Sequence, residues 1–380
     1  MCFSTIARRH LRILHFFKTY YPDSFGGVEQ VIYQLAEGGR EFGLDAEVLS
    51  LSPRGAARDE RVAGHVVHRA RLDCYVASTG FSAAVFGRFA ELARQADVVH
   101  YHFPWPFMDV VHFATRMKKP SVVTYHSDIV KQKTLLHLYR PLMNRFLSSV
   151  DRIVATSPNY LVTSPVLQRF ADRVTVIPLG VDEGSQPVPD PARLAGWRQR
   201  LGEKFFLFVG AIRYYKGLHI LLDALAGCDY PVAIVGGGPM ETELRAQAQR
   251  LGLHNVHFLG PLPDEDKAAL LVLCLGVVFP SHLRSEAFGV TLIEGAMHGK
   301  PLVSCEIGTG TSYINLDGET GLVVPPGNVQ ALRQALDRLW HEPALAAAMG
   351  ARARQRYLGH FTARHMVERY AALYRDVSGK

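Results

Sequence analysis

The chain has 380 residues, 48% of them hydrophobic, which suits two globular domains better than one. Its longest apolar run, Ala268 to Phe279, falls short of the ~20 residues that a membrane-spanning helix needs, and its first residues lack the continuous apolar core of a secretory signal. The formal net charge of +7 lies entirely on residues 1–180, with 22 Lys and Arg against 15 Asp and Glu, whereas residues 181–380 hold 20 of each; the first half should meet something anionic, and no nucleic-acid-binding motif is present.

Met1 to His10 reads as a loose extension. Six short β-rich runs follow in the first half: 11–16 (LRILHF), 46–51 (AEVLSL), 97–102 (DVVHYH), 121–126 (SVVTYH), 152–157 (RIVATS) and 174–180 (VTVIPLG). Helix-length segments separate them, and most runs are apolar on both faces, as parallel strands covered by helices are. DVVHYH places His100 and His102 on one face of a strand end. Two imidazoles invite a zinc reading, but no third or fourth ligand is spaced to complete it, so they are expected to line an acceptor site. Residues 131–149 mix Lys131, Lys133, Arg140 and Arg145 with Leu, Tyr, Met and Phe. That pattern fits a helix lying on an anionic membrane or a core-facing helix with a basic outer face, and Pro141 interrupts either. The five cysteines are scattered, with no C-x-x-C, and read as reduced thiols of a cytoplasmic protein.

The stretch GVDEGSQPVPDPARL follows a finished strand and places a hinge near Val181 to Pro191. Beyond it the runs are 205–210, 232–238, 256–262, 276–281, 301–307 and 321–326, and the tail from about Pro343 is helical. Ligands of open α/β sheets bind at the carboxyl ends of strands. FFLFVGAIRYYKGLH sets Arg213 and Lys216 beside a helix start, a good place for a phosphate. VAIVGGGPMETELRAQA offers Gly236, Gly237 and Gly238 but neither a full G-x-G-x-x-G nor a Walker pattern. VVFPSHLRSEAFGVTLIEGAMHGKP puts Glu286 just before a helix and Glu294 inside it. The helix N-terminus between them can receive a diphosphate, and both carboxylates can accept from vicinal sugar hydroxyls. The alternative is that Glu286 caps the helix and Glu294 faces solvent; Leu292, Ile293, Ala296 and Met297 leave little polar face for the latter. PDED (263–266) imitates a D-x-D metal motif, but between a strand and a helix it is better explained by Asp264 as an N-cap.

Taken together these stretches resemble the retaining family 4 glycosyltransferases. Their E-x7-E signature corresponds to Glu286-Ala287-Phe288-Gly289 through Glu294, followed by HGKPLV, and VGAIRYYKG, GGGPMETEL, GLVVPPGN and GGVEQ fit as well. HFFKTYYPDSFGGVEQ, RYYKGLH and GTGTSYIN are similar to bacterial mannosyltransferases that build common-antigen O-polysaccharide from GDP-mannose on a polyprenyl diphosphate carrier. The resemblance implies an α/β GT-B fold of two Rossmann-like domains with a cleft between them. Residues 1–183 would be the acceptor domain, 184–355 the donor domain, and 356–380 a helix packing back on the first domain.

It also implies roles. Glu286, His126 and Lys216 would be catalytic: Glu286 on the donor-sugar hydroxyls, His126 beside the sugar at the cleft, Lys216 against the leaving diphosphate. The backbone of Ala287, Phe288, Gly289 and Val290 would lie along the sugar and diphosphate, Glu294 would hold the ribose, and the base would sit near Leu262. Gly26 and Gly27 would open the first helix beside the donor phosphates, with Gly236 and Gly237 in the donor loop. His100, His102 and Asp128 are acceptor-side candidates. Family members usually carry Arg directly after the glycine of VG; this chain has Ala211 there, so Arg213 is assigned that place. No cofactor and no metal are expected, cations and helix dipoles meeting the diphosphate instead. The expected partners are a nucleotide-sugar, a lipid-linked saccharide and an anionic membrane, with the enzyme peripheral on the inner face of the cytoplasmic membrane. A UDP-sugar transferase and a nucleotide-sugar 2-epimerase share this architecture; the latter needs no acceptor, against the basic bias of the first half. A non-catalytic sugar-nucleotide binder would not need the full set of anion-site residues.

Overall fold

The computed structural model describes residues 10–54, 58–76, 79–129 and 133–380, with side chains of the last stretch from residue 136 onward. The expected N-terminal extension and Lys131 lie largely outside the described residues, as does the side chain of Lys133. The chain forms two compact units: Met1–Thr156 with Ser164–Gly180 and Ala363–Lys380, and Ser157–Thr163 with Val181–Thr362.

The first unit is built on β1 (Leu11–Phe16), β2 (Leu44–Ser52), β3 (Arg58–Val62), β4 (His65–Arg71), β5 (Cys74–Val76), β6 (Thr79–Phe81), β7 (Val98–Phe103), β8 (Ser121–Tyr125), β9 (Arg152–Ala155) and β10 (Val174–Val176). Among the described residues, eight of these form one sheet in the order β10-β9-β8-β7-β1-β2-β4-β3. It is parallel except for β3, which runs antiparallel to β4; β5 and β6 pair as a separate ribbon. β7 and β8 are buried along their whole length, which is why their sequences are nearly continuous apolar runs. The helix Ala363–Ser378 belongs to this unit: Tyr370 and Tyr374 are fully buried, and Val367 packs against Gly38.

The second unit carries β11 (Phe206–Val209), β12 (Val232–Val235), β13 (Val256–Gly260), β14 (Gly276–Phe279), β15 (Leu302–Cys305) and β16 (Gly321–Val324). They make a fully parallel sheet in the order β13-β12-β11-β14-β15-β16. In both sheets the strand order reverses once, between β1 and β7 in the first and between β11 and β14 in the second. Connections there leave toward opposite faces and open a crevice at the carboxyl ends.

Three features go beyond the sequence reading: two depart from it, and one decides between the alternatives it left open. The β3–β4 hairpin was not expected, because its apolar alternation is broken by charges. Those charges are matched across the sheet. Arg69 is 1% exposed and donates from Nε to Glu60 Oε1 at 2.8 Å and from Nη1 to Ser50 Oγ at 2.7 Å, with the Tyr21 carbonyl as a further acceptor. His68 lies 2.9 Å from Asp59 Oδ1 and 3.1 Å from Glu47 Oε2, and these carboxylates raise its pKa against the opposing effect of burial. Second, residues 133–149 form one helix with Pro141 inside it. It buries Met143, Phe146 and Leu147 and exposes Leu138, Arg140 and Arg145, so it faces the core with a basic outer surface. Third, the cap of the helix Asp264–Leu273 is Pro263, and Asp264 is its first helical residue. Pro263, with an extended ψ, cannot continue a helix backward, so the acids fall into the first turn, where they meet the positive end of the helix dipole. Asp266 is engaged by Trp197 Nε1 at 2.8 Å and Arg193 at 2.6 Å.

Removing the buried guanidinium takes a donor from each of Glu60, Ser50 and the Tyr21 carbonyl. Arg69→Ala is expected to lower the unfolding free energy of the protein by about 3–5 kcal/mol in urea titrations. A loss below about 1 kcal/mol, the size of an exposed pair, would show that water replaces the side chain there.

Candidate active site

In the second unit, three loops leave the carboxyl ends of β11, β12 and β13 and are tied to one another by main-chain hydrogen bonds. Gly210 N–H donates to Val235 O (3.0 Å), Ile212 N–H to Gly237 O (2.9 Å) and Gly236 N–H to Gly260 O (2.9 Å). Gly236 has φ +126°, and a Cβ on it would lie 2.1 Å from Gly210 O; only glycine lets these loops close together. Gly217 repeats the device toward β14: at φ +72°, its Cβ would stand 2.0 Å from Pro280 O. His282 N–H donates to Tyr215 O at 3.0 Å, joining the loop after β14 to the loop after β11.

That junction is the strand-order reversal, and it brings Lys216 and Glu286 together from 70 positions apart. Lys216 Nζ donates to Glu286 Oε2 at 2.5 Å, and each residue keeps only 9% of its surface. The ammonium also lies 4.5 Å from the centroid of Phe279 and 5.5 Å from that of Tyr215. The groups expected to hold the leaving diphosphate and the sugar therefore hold each other. Beside them starts the helix Val290–Met297, with Gly289 at its cap in a left-handed conformation, φ +96°. Among the described residues, the N–H groups of Ala287, Phe288, Gly289 and Val290 donate to no acceptor. Gly310 N–H donates to Ala287 O (2.9 Å), and Phe288 is buried against Gly310, which fixes this stretch with its amides unused. Unused amides at a helix start next to a cation form an anion site.

Glu294 lies in the second turn of that helix and is partly buried, and its carboxylate has no hydrogen-bond partner among the described residues. Burial pushes its pKa up to about 7; Asp264 adds to the rise and Lys267 opposes it. Arg213 is exposed at the cap of the single turn Tyr214–Lys216, with no ion pair among the described residues. Gly237 packs near Pro261, and Leu262, half-buried, follows β13 on the same edge.

In the first unit Gly26 caps the helix Gly27–Gly38 with no side-chain cap. A carboxylate missed by the sequence reading stands at that helix start: Glu29, 5% exposed, accepts from Thr19 Oγ1 and Ser24 Oγ, both at 2.8 Å. Its position inside GGVEQ was the available signal. Lys18 is beside it: burial lowers the lysine pKa and Glu29 opposes that. His126 follows β8 directly, is 8% exposed, and has its pKa lowered to about 3 by burial. Asp128 Oδ1 accepts from Tyr125 OH (3.0 Å) and Ser164 Oγ (2.7 Å).

His100 and His102 correct the sequence reading. Both are fully buried, so neither has surface to offer an acceptor. A third imidazole also joins them, because β1 pairs with β7 in a register that sets His15 opposite His100. The nitrogens of these three lie within 4.8 Å of one another, yet those of His100 and His102 are already hydrogen-bonded within the unit.

Residues 25–184 match the family described as Glycosyltransferase Family 4, and residues 194–356 match Glycosyl transferases group 1. The chain is 62% identical to a D-rhamnosyltransferase of Pseudomonas aeruginosa over 353 residues, covering 93% of each protein. The chain belongs to the glycosyltransferases. An O-antigen chain mannosyltransferase of Escherichia coli is 51% identical to the enzyme, over 96% of this chain and 98% of the relative. The fold is GT-B: a sucrose-phosphate synthase from Thermosynechococcus elongatus superposes with a TM-score of 0.79 at 22% identity, over 97% of this chain and 100% of that one. An Anabaena protein in complex with UDP-glucose gives 0.77, also at 22% identity, over 97% and 100%.

The paired Lys216 and Glu286 generate an expectation. A diphosphate seated at this helix start would compete with Glu286 for the ammonium, and Glu286→Gln would free the cation. GDP, or UDP if that is the nucleotide, should bind Glu286→Gln about tenfold tighter than wild type, near 1.4 kcal/mol, and Lys216→Ala more weakly. Calorimetric titration decides it. Equal weakening in both variants would mean that the pair serves the fold rather than the anion.

Proposed function

We propose that the enzyme transfers a manno-configured hexose from a GDP-sugar to a polyprenyl-diphosphate-linked saccharide during O-antigen assembly, with retention at the anomeric carbon. The observation that carries this reading is the meeting of Lys216, Glu286 and the unused amides of 287–290 at one strand-order reversal. Transfer breaks the bond between the sugar C1 and the diphosphate oxygen and forms one between C1 and an acceptor oxygen; the acceptor's proton leaves with the diphosphate. Negative charge grows on that diphosphate, and Lys216, Arg213 and the helix N-terminus meet it; one preorganised donor of this sort is worth about 2.7–4 kcal/mol of barrier. These groups supply the positive charge themselves, so the proposal calls on no metal. Glu286, released from Lys216, takes the sugar hydroxyls, and Glu294 takes the ribose. His126 is the first unit's contribution to catalysis. Residues 1–180, with their charge of +7 and the exposed Leu138, Arg140 and Arg145, rest on the anionic inner face of the cytoplasmic membrane. No helix among the described residues is long and apolar enough to cross a membrane.

Two relatives frame the sugar. The 51% relative is named a mannosyltransferase and the 62% relative a D-rhamnosyltransferase. Mannose and D-rhamnose differ only in the hydroxyl on C6, so GDP-D-rhamnose is the second donor to test.

The test is calorimetry with GDP-mannose, GDP-D-rhamnose, GDP and UDP-glucose. A GDP-sugar should bind and UDP-glucose should not; the reverse would overturn the donor assignment. Glu294→Ala should weaken GDP and the GDP-sugar alike by about 1.5–3 kcal/mol. Because the Glu294 pKa is raised to about 7, its ionised form, the better acceptor for ribose hydroxyls, is lost as pH falls through that value. GDP affinity should therefore drop between pH 8 and pH 6 in the wild type and stay flat in Glu294→Gln. The same slope in both proteins would remove Glu294 from the ribose.

A further inference from the structure

A row of imidazoles runs through the first unit on one face of its sheet. His15 Nδ1 is 3.1 Å from His102 Nε2, and His102 Nδ1 is 3.0 Å from His126 Nε2. The rings of His102 and His126 stack with centroids 5.3 Å apart and planes 20° apart. His15 and His102 are 1% and 0% exposed; His126, at 8%, is where the row reaches the surface. Nδ1 of His126 has no hydrogen-bond partner among the described residues.

The surroundings hold this row neutral. His100 lies against it with ring centroids 4.3 Å from His102 and 4.9 Å from His15, and Phe17 meets His102 edge-on. His100 is held separately: Nδ1 is 2.7 Å from Tyr374 OH, Nε2 is 2.7 Å from Thr124 Oγ1, and Thr124 Oγ1 is 2.7 Å from Tyr370 OH. No carboxylate among the described residues bonds to any of the four imidazoles, and burial depresses the pKa of each, to about 3 for His15 and His126. His65 adds slightly to the depression at His15.

A neutral imidazole has one N–H and one lone pair. His102, bonded at both nitrogens, must donate at one and accept at the other, so the hydrogens of the row point all one way. If they point inward, every ring carries its hydrogen on Nε2, the tautomer a free histidine side chain prefers. The same tautomer at His100 lets it donate to Thr124 and accept from Tyr374. The opposite direction forces three rings into the less favoured form.

We propose that His102 and His15 are positioning residues that lock His126 in its Nε2–H tautomer, so that the Nδ1 lone pair is presented to a carbohydrate hydroxyl. The proposal rests on the assignment of His126 to catalysis. His126 then accepts a hydroxyl hydrogen from a sugar without taking a proton, and its ring cannot turn. The geometry assigns His102 the central part, because it alone bonds to both of the other rings.

The test uses the full chain labelled with ¹⁵N-histidine, read by two-bond ¹H–¹⁵N spectra from pH 6 to 8. His15, His102 and His126 should be neutral and Nε2–H throughout. His102→Leu should leave His126 titrating or mixed in tautomer, whereas His102→Asn, whose amide oxygen reaches the place of Nδ1, should preserve it. With GDP-mannose as the probe and GDP release as the readout, His102→Leu should lower kcat on the order of tenfold to a hundredfold at little change in KM, and His102→Asn should recover most of it. His15→Leu, which breaks only the far end, serves as the second variant if His102→Leu folds poorly. An Nδ1–H His126, or a His126 spectrum unchanged by His102→Leu, overturns the relay. A His126→Ala variant with wild-type GDP release, alongside the expected spectra, overturns instead the assignment of His126 to catalysis, and with it the relay's part in the reaction.

Discussion

Parallel strands can reverse their order in a sheet only by sending successive connections to opposite faces, and each reversal leaves a gap over the strand ends. In this glycosyltransferase the gap between β11 and β14 lies where the ammonium of Lys216 and the carboxylate of Glu286 meet. The gap between β1 and β7 lies where the histidines of those strands come into register. Neither arrangement needs a special loop. The first also needs glycines where its loops pass against backbone oxygen, as Gly217 and Gly236 do; the second needs only the register of β1 on β7.

The sequence declares much of this and conceals the rest for physical reasons. The twelve runs read as strands all occur, with ends shifted by a few residues, because doubly covered parallel strands are bound to be rich in Val, Ile, Leu and Phe. The β3–β4 hairpin is hidden because a strand whose buried positions carry Arg69 and His68 looks like a charged loop until its cross-sheet partners Glu60, Asp59 and Glu47 are known. Lys216 and Glu286 can each be picked out by pattern. Their contact cannot, since it depends on β11 lying next to β14 rather than next to β13. His15 was invisible as a neighbour of His100 for the same reason: 85 positions separate them, and only the register of β1 on β7 joins them.

The interior of the first unit is costly for its size. Four imidazoles, Thr124, Tyr370 and Tyr374 occupy positions that Leu or Val would fill without any hydrogen-bond requirement. Buried polar groups are tolerable when their donors find acceptors, and here His15, His102 and His126 bridge over 3.0–3.1 Å while His100, Thr124, Tyr370 and Tyr374 bridge separately over 2.7 Å. Such a network fixes ring orientations that an apolar core would leave free to exchange. The second unit keeps a packed apolar core and sets its buried ion pair of Lys216 and Glu286 beyond the strand ends.

The return of residues 363–378 to the first unit has a consequence for biosynthesis. The layer of His100 and Thr124 is covered by Tyr370 and Tyr374, which are made after the whole of the second unit. A chain emerging from the ribosome usually completes its domains in the order in which they are translated. Here the order is inverted: Ser157–Thr163 and Val181–Thr362 can close into a finished body while the earlier sheet still waits for its last helix. The nascent first unit, basic and with one sheet face uncovered, is thus the species that chaperones and proteases meet for longest.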